Sequence, residues 1–371
     1  MSFAALSVLV VCCAEIAGVK PIDFVVADAA TEASNDASTD AGCQHVLVPT
    51  APANPTIGGS MTILDAVQTI DFNPDGGVIA SLGFDLDGVC TCGGGPASCT
   101  SLVPNVTQCD PSGGRDINGT TQVGHYLEQL LNAEPSGDVN ARIAAGKLTY
   151  FIQVSNYGGG QNESELVVGF YDGSGHPAFD ADGGYVIAPP AWDGGDVWAI
   201  DCIMSQSSCP DAAILDGGFA PTFVDPAAYV TDGTLVAHFN SLVVGIGITT
   251  IRITSPIMVA QIEPLAGGGY GLDGQFTGRV AVDDIFRSIA VLPSISGGKL
   301  CGDDQEFQAL KPEVCGAADI RAAAATDNTN QPCDALSFSL PFVARPARIG
   351  FRSDGPVLVP GCDGAVDECT P

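Results

Sequence analysis

Positive charge is what this sequence has least of. Thirteen Lys and Arg stand against 43 Asp and Glu, a formal net charge of −30. A surface this acidic repels phosphates and anionic lipid, which disfavours nucleic-acid binding and electrostatic attachment to a membrane. Cations are its natural partners. Charged residues of both signs make up only 15% of the chain, thin in the Lys and Glu that long solvent-facing helices use. Aromatic residues are few as well, at 7%, too few for a broad stacking platform.

Familiar catalytic signatures are also missing. There is no G-x-S-x-G elbow, no H-E-x-x-H zinc pair and no phosphate loop. Gly297-Gly298-Lys299 runs into Leu300 and lacks the first glycine of that loop. The four histidines, His45, His125, His176 and His238, are scattered along the chain, and His125 in a helix and His238 in a strand read as structural. None of the 14 cysteines forms a C-x₂-C pair, which argues against a zinc site.

So many cysteines without metal spacing imply disulfides and an oxidising compartment. Cys92 with Cys99, Cys202 with Cys209, and Cys362 with Cys369 each enclose six residues, and Cys301 with Cys315 encloses thirteen. These short loops are the expected pairs, although spacing does not fix connectivity. If Cys12 and Cys13 belong to a leader, twelve cysteines remain, and an even count suits a fully oxidised export product.

Residues 1–19 read as that leader. The apolar run Phe3–Cys13 has the length of a signal-peptide core and is too short to span a bilayer. The first basic residue is Lys20, so the leader reading requires a start upstream of Met1. Leu9-Val10-Val11-Cys12-Cys13 resembles a lipobox, which makes Cys12 or Cys13 the candidate for lipidation and an outer-membrane anchor. Residues 20–42 follow as a disordered acidic linker, with ADAATEASNDASTDAG at 27–42 offering nothing larger than alanine to bury. Residues 43–371 are expected to form a single large β-rich domain.

Within that domain KLTYFIQVSNY (147–157) alternates, with Leu148, Tyr150, Ile152 and Val154 on one face. Further strands are expected at 62–72, 165–172, 196–202, 234–246, 249–264, 270–282 and 335–350. Asp-Gly pairs at 172, 193, 216, 232 and 273 supply positive φ for hairpin corners. The pattern predicts an antiparallel β-sandwich or jelly roll, disulfide-stapled, with a few short helices. Those helices are expected at 120–132, at 282–290 and in pieces over 303–325, broken by Pro312.

Calcium is the leading chemical candidate, because it takes several oxygen ligands from a tight loop. Asp71-Phe72-Asn73-Pro74-Asp75-Gly76 opens like an EF-hand loop, but Leu82 stands where the bidentate Glu belongs. Asp85, Asp87, Asp110, Asp116 and Asn118 form the better set. A bridge from Cys90 or Cys92 to Cys109 would bring Asp110 beside the Asp85–Asp87 turn, and a cation would relieve the repulsion among the carboxylates. The alternative is that these are ordinary turn residues and caps. Trp192 and Trp198, with Tyr185 upstream, combine flat apolar faces with the carboxylates of Asp193 and Asp196, a mixture suited to a sugar ring or to core packing. A polysaccharide hydrolase using a carboxylate pair is the rival from the enzyme class, since 43 acids offer many pairs.

The order LDGVCTC, CDPSGGRDINGT, KLTYFIQVSNY, PPAWDG, AYVTDGTLVAHF, CGAADI and CDALSFSLPF resembles predicted cysteine-rich secreted proteins and lipoproteins of myxobacteria. That resemblance implies an extracellular or outer-membrane surface location and no particular activity. The expectation is therefore a noncatalytic exported envelope protein, calcium-stabilised, acting by binding or structure, with an extracellular glycan or an envelope protein as partner.

Overall fold

The computed structural model describes residues 45–71, 81–92, 97–103, 108–110, 113–117, 119, 135–179, 182, 185–201, 221, 223–246, 249–292, 294, 297–302, 304–353, 362 and 369. The leader, the linker, the 120–132 helix, His125, most of the EF-hand-like loop and Asn118 lie outside the described residues. So do Cys202 and Cys209.

The chain is mainly β. In chain order it forms β1 (Thr56–Ile57), β2 (Met61–Ile70), helix α1 (Pro135–Ala144), β3 (Thr149–Tyr157), β4 (Glu163–Gly173), β5 (Pro177–Phe179), β6 (Tyr185–Ile187) and β7 (Val197–Asp201). It continues with β8 (Phe223–Thr231), β9 (Thr234–His238), β10 (Ser241–Ile246), β11 (Thr249–Pro264), β12 (Tyr270–Ala281), α2 (Val282–Ile289), α3 (Gln305–Ala317), β13 (Ala335–Pro346) and β14 (Arg348–Ser353).

Eight of these strands close on themselves. Antiparallel pairing runs β4, β3, β2, β13, β12, β11, β9, β8 and returns to β4, where Leu166 faces Ala228 and Phe170 faces Phe223. The expected two-sheet sandwich or jelly roll is thus replaced by one closed barrel. The strand that closes it, β8, is the one the sequence pattern conceals, because Pro226 interrupts its alternation. Register shifts on either side of Leu166 accommodate the proline at an irregularity, where a missing N–H does no harm.

Other expectations shift for local reasons. The Asp232-Gly233 pair does make the β8–β9 hairpin, with φ of 50° and 81°. Asp273-Gly274 instead lies inside β12, where a Cβ on Gly274 would come within 2.3 Å of the Val259 carbonyl oxygen. Its glycine serves close strand packing rather than a turn. Helix α3 runs through Pro312 instead of breaking there, held on both sides of the proline by buried Phe307, Leu310 and Val314. Helix α1 has only Val139 and Ile143 buried among its apolar residues, too sparse a stripe to be seen in the sequence.

Alternation fills the barrel. Tyr150, Ile152 and Val154 of β3 point inward with Leu166, Val168 and Phe170 of β4, and Phe276 and Phe342 meet at 4.8 Å between ring centres. The outer wall is covered on two sides. Over β2–β4, strand β7 lays Trp198 and Ile200 against Ala66, Phe151 and Tyr171. Over β9 and β11, Phe84 packs on Val236 and Val259.

Disulfides tie the coverings down: Cys92–Cys109, Cys99–Cys333, Cys301–Cys362 and Cys315–Cys369. The cysteines expected to be oxidised at 92, 99, 301, 315, 362 and 369 are so, but not within the short loops expected for them. Cys99 crosses 234 residues to Cys333, because folding sets distances that spacing does not. The remaining expected pair, Cys202 with Cys209, is not among these four bridges, since both of its cysteines fall outside the described residues. Peptide mapping under non-reducing conditions is expected to recover the four bridges and no Cys92–Cys99, Cys301–Cys315 or Cys362–Cys369 peptide.

Carboxylates break the apolar rule on the inner wall: Asp172 lies opposite inward Tyr150 and is 2% exposed, and Asp65 is buried more completely still. Asp65 sits between Ile63 and Val67 on β2, opposite Ile152, with no exposed surface. Neither of its carboxyl oxygens has a hydrogen-bond partner among the described residues. Burial pushes its pKa from 3.8 up to about 8, with Arg345 pulling weakly the other way. The folded barrel therefore holds a proton that the unfolded chain releases near pH 3.8. Stability is complete at acid pH and is lost as pH rises towards about 8, at up to ~1.4 kcal/mol per pH unit. Asp65→Asn has no proton to lose, so it should gain on the wild type steadily across that window in urea denaturation. Parallel pH profiles for the two proteins would show that Asp65 does not titrate there.

Candidate functional site: an acidic clamp on the barrel wall

The segment from Leu82 to Val89 is pinned from below and from both sides. Phe84 anchors it in the outer-wall cluster, and the Gly83 N–H donates to Gln275 Oε1 of β12 at 2.8 Å. The Asp85 N–H donates to the Val46 carbonyl (2.8 Å) and the Asp116 N–H to that of Phe84 (3.0 Å). Arg115 caps the carbonyls of Ser81, Leu82 and Gly83. The Cys92–Cys109 bridge then folds residues 108–110 back, so that the Asp110 N–H reaches the Thr91 carbonyl.

Three carboxylates converge within this frame. Asp85, Asp87 and Asp116 each offer an oxygen within 4.8 Å of the others', and they are only 7%, 8% and 1% exposed. Backbone N–H groups aim them. Asp85 Oδ1 accepts from Gly88 (2.7 Å), Asp87 Oδ1 from Val89 (2.9 Å) and Asp116 Oδ2 from Leu86 (2.6 Å). His45 Nδ1 contacts Asp85 Oδ2. Gly114, at φ +64°, lies so close that a Cβ there would meet Cys90 Sγ at 2.8 Å and Asp85 Oδ2 at 3.5 Å.

Of the five residues singled out in the sequence, three meet at this point. Asp110 lies beside them without joining the group; its Oδ2 accepts from the Thr91 N–H at 2.6 Å. Asn118 is outside the described residues. Two further acids were not legible in the sequence. Asp319 accepts from the Ser337 N–H (2.8 Å) and hydroxyl, and Asp327 pairs with Arg279. Both lie more than 200 residues along the chain from Asp87, and the Cys99–Cys333 bridge together with β13 brings them in.

The charges act on one another. Burial raises Asp87 to about 6, with Asp85 and Asp327 adding to the rise. Burial first, then Asp87 and Asp319, lifts Asp110 to about 7. Asp116 goes well above the ordinary carboxylate range by burial, reinforced by Asp87, Asp319 and Asp110. Asp319 rises to about 6, again mainly by burial. Carboxylates held this close and this dry favour either protons or a bound cation. A hard cation with a preference for oxygen, such as calcium, matches the donor set.

Arg279 is the buried counter-charge behind the clamp. It is 2% exposed and forks onto Asp327 at 2.8 and 2.9 Å. It also donates to the Leu86 carbonyl (2.6 Å) and the Arg321 carbonyl (2.8 Å). The aromatic candidates lie on the other wall. Trp198 has no exposed surface and meets Phe151 edge-on, whereas Trp192 is half-buried above it at 5.7 Å. Tyr185 lies on β6, opposite Phe179 of β5.

No protein-family model, curated protein or solved structure matches the chain. Arg279→Met should leave Asp327 buried and uncompensated and two carbonyls without their donor. The expected loss is about 3–5 kcal/mol in urea denaturation. A loss below about 1 kcal/mol would mean that the pair behaves as a surface ion pair.

Proposed function

We propose that this is a noncatalytic, exported protein of the bacterial envelope that acts by binding or structure, with calcium locking the acidic segment onto its barrel. The convergence of three buried carboxylates, Asp85, Asp87 and Asp116, supports this reading most directly. Without a cation, burial and mutual repulsion hold these acids in tension. With one, the same groups become ligands that tie residues 82–89 to 113–117.

The cysteines support the compartment. Nine described cysteines are disulfide-bonded, and such bonds persist outside the reducing cytosol. The resemblance to cysteine-rich secreted proteins and lipoproteins agrees with this, and Cys12 or Cys13 is the residue we assign to an outer-membrane lipid anchor. No helix among the described residues is long and apolar enough to cross a membrane. The net charge of −30 turns nucleic acid away as a partner and favours cations and neutral ligands.

A hydrolytic role for the clamp is less well supported. Glycosidase carboxyl pairs stand about 5–10 Å apart beside an open groove, whereas these three are closer and buried beneath the segment that bears them.

Calorimetry with EDTA and with calcium restored tests the reading. Calcium at about 100 times its dissociation constant should stabilise the fold by ~2.7 kcal/mol, and chelation should remove that gain. Asp87→Asn should be more stable than the wild type in EDTA, because one repelling charge is gone, and should respond little to calcium. An unchanged melting temperature on chelation and on calcium addition overturns the proposal.

A further inference from the structure

The wall opposite the clamp carries a second constellation that the calcium reading does not use. Here β7 and the loop before it cover β2–β4, and residues 174–176 run beside them. The Ser174 N–H donates to the Ala199 carbonyl (2.9 Å), and the Ala199 N–H to that of Gly175 (3.0 Å). This pairing sets Ser174 against Ala199, the residue after Trp198, and His176 packs on Trp198 itself. The His176 ring lies 5.2 Å from the Trp198 ring, its Nδ1 donates to the Ala188 carbonyl at 2.9 Å, and its Nε2 is 3.4 Å from Asp196 Oδ1. Both ring nitrogens are thus engaged in holding the site together.

Two polar groups in this frame are buried and lack a hydrogen-bond partner among the described residues: the Ser174 hydroxyl and the Trp198 indole N–H. Buried polar groups are nearly always satisfied, so each of these two needs an explanation. Against Trp198 lies Trp192, whose backbone is in the left-handed region at φ +58°, a conformation unfavourable for a bulky side chain. The Asp196 carboxylate enforces it, accepting from the Ala191 N–H (2.8 Å) and the Trp192 N–H (2.6 Å). Beside the site, Val186 and Ile187 of the β5–β6 hairpin are 40% and 46% exposed, an apolar rim.

We propose that residues 174–176 and 191–198 form a binding site for a neutral sugar ring, with Trp192 as its movable stacking face and the Ser174 hydroxyl and Trp198 N–H reading its hydroxyl groups. The chemistry matches on three counts. A pyranose presents a flat C–H face to an indole. Its hydroxyls donate and accept, as do the Ser174 hydroxyl and the indole N–H between them. The chain's charge of −30 disfavours anionic ligands, so among sugars a neutral ring fits better than an acidic one. Trp198 is locked by Phe151 and His176, so the half-buried Trp192 ring is the part that must swing to admit the sugar. The site stands independently of the calcium clamp, which sits across the barrel.

The chain's two tryptophans are both in this site, so tryptophan emission, excited selectively over the seven tyrosines, reports on it. The experiment titrates the full protein with glucose, galactose, mannose, N-acetylglucosamine and their β-linked oligomers while following tryptophan emission. At least one of these should give a saturable change. Ser174→Ala, a small substitution in a loop, should weaken that binding about tenfold. Trp198→Phe keeps the ring packing and removes the N–H, and should weaken binding similarly with the melting temperature as a check on folding. Trp192→Ala should abolish binding, read by calorimetry. Flat emission across the whole panel overturns the proposal, as does undiminished affinity in Ser174→Ala.

Discussion

Closure of the sheet between β4 and β8 is the constraint on which the rest depends. With those two strands paired, eight strands form a continuous wall with an inside and an outside. The inside buries one alternate set of side chains, and the outside becomes a platform for everything else. Neither the clamp nor the tryptophan pair would have a floor without it. Phe84 rests on the outer faces of β9 and β11, and Trp198 rests on the outer faces of β2 and β3. A barrel has few free edges, so the coverings can attach by packing and disulfides rather than by extending the sheet.

The acidic clamp is a conflict that the fold imposes. Left in water, Asp85, Asp87 and Asp116 would repel one another only weakly. Buried within 4.8 Å of one another, with Asp110 and Asp319 nearby, they push one another towards protonation. The Arg279–Asp327 pair is already neutral and contributes no spare positive charge. Two disulfides, Cys92–Cys109 and Cys99–Cys333, hold these like charges together. Covalent staples hold this electrostatic problem in place, and the cation proposed above would relieve it.

Much of this was legible in the sequence, for identifiable reasons. Strands such as 149–157 and 249–264 announce themselves through alternation and β-branched content. The Asp85–Asp87–Asp116 grouping could be suspected because the residues lie close together in sequence, with cysteines at 92 and 109 available to draw the segment tight. Strand β8 was hidden by Pro226, and helix α1 by its sparse apolar stripe. Asp319 and Asp327 carry no local mark at all. Their relevance appears only when β13 lies beside β12 and Cys333 meets Cys99.

By itself the sequence determined the β class, the acidic surface, the oxidised cysteines and the local carboxylate set, since each follows from composition or short-range spacing. Only the tertiary structure decided that the sheet closes, which cysteines pair, that Asp65 faces the barrel interior, and that His176 stands beside Trp198. These are matters of register and long-range approach. Pairing energies between strands far apart in the chain set them, and a linear pattern does not record which strand lies next to which.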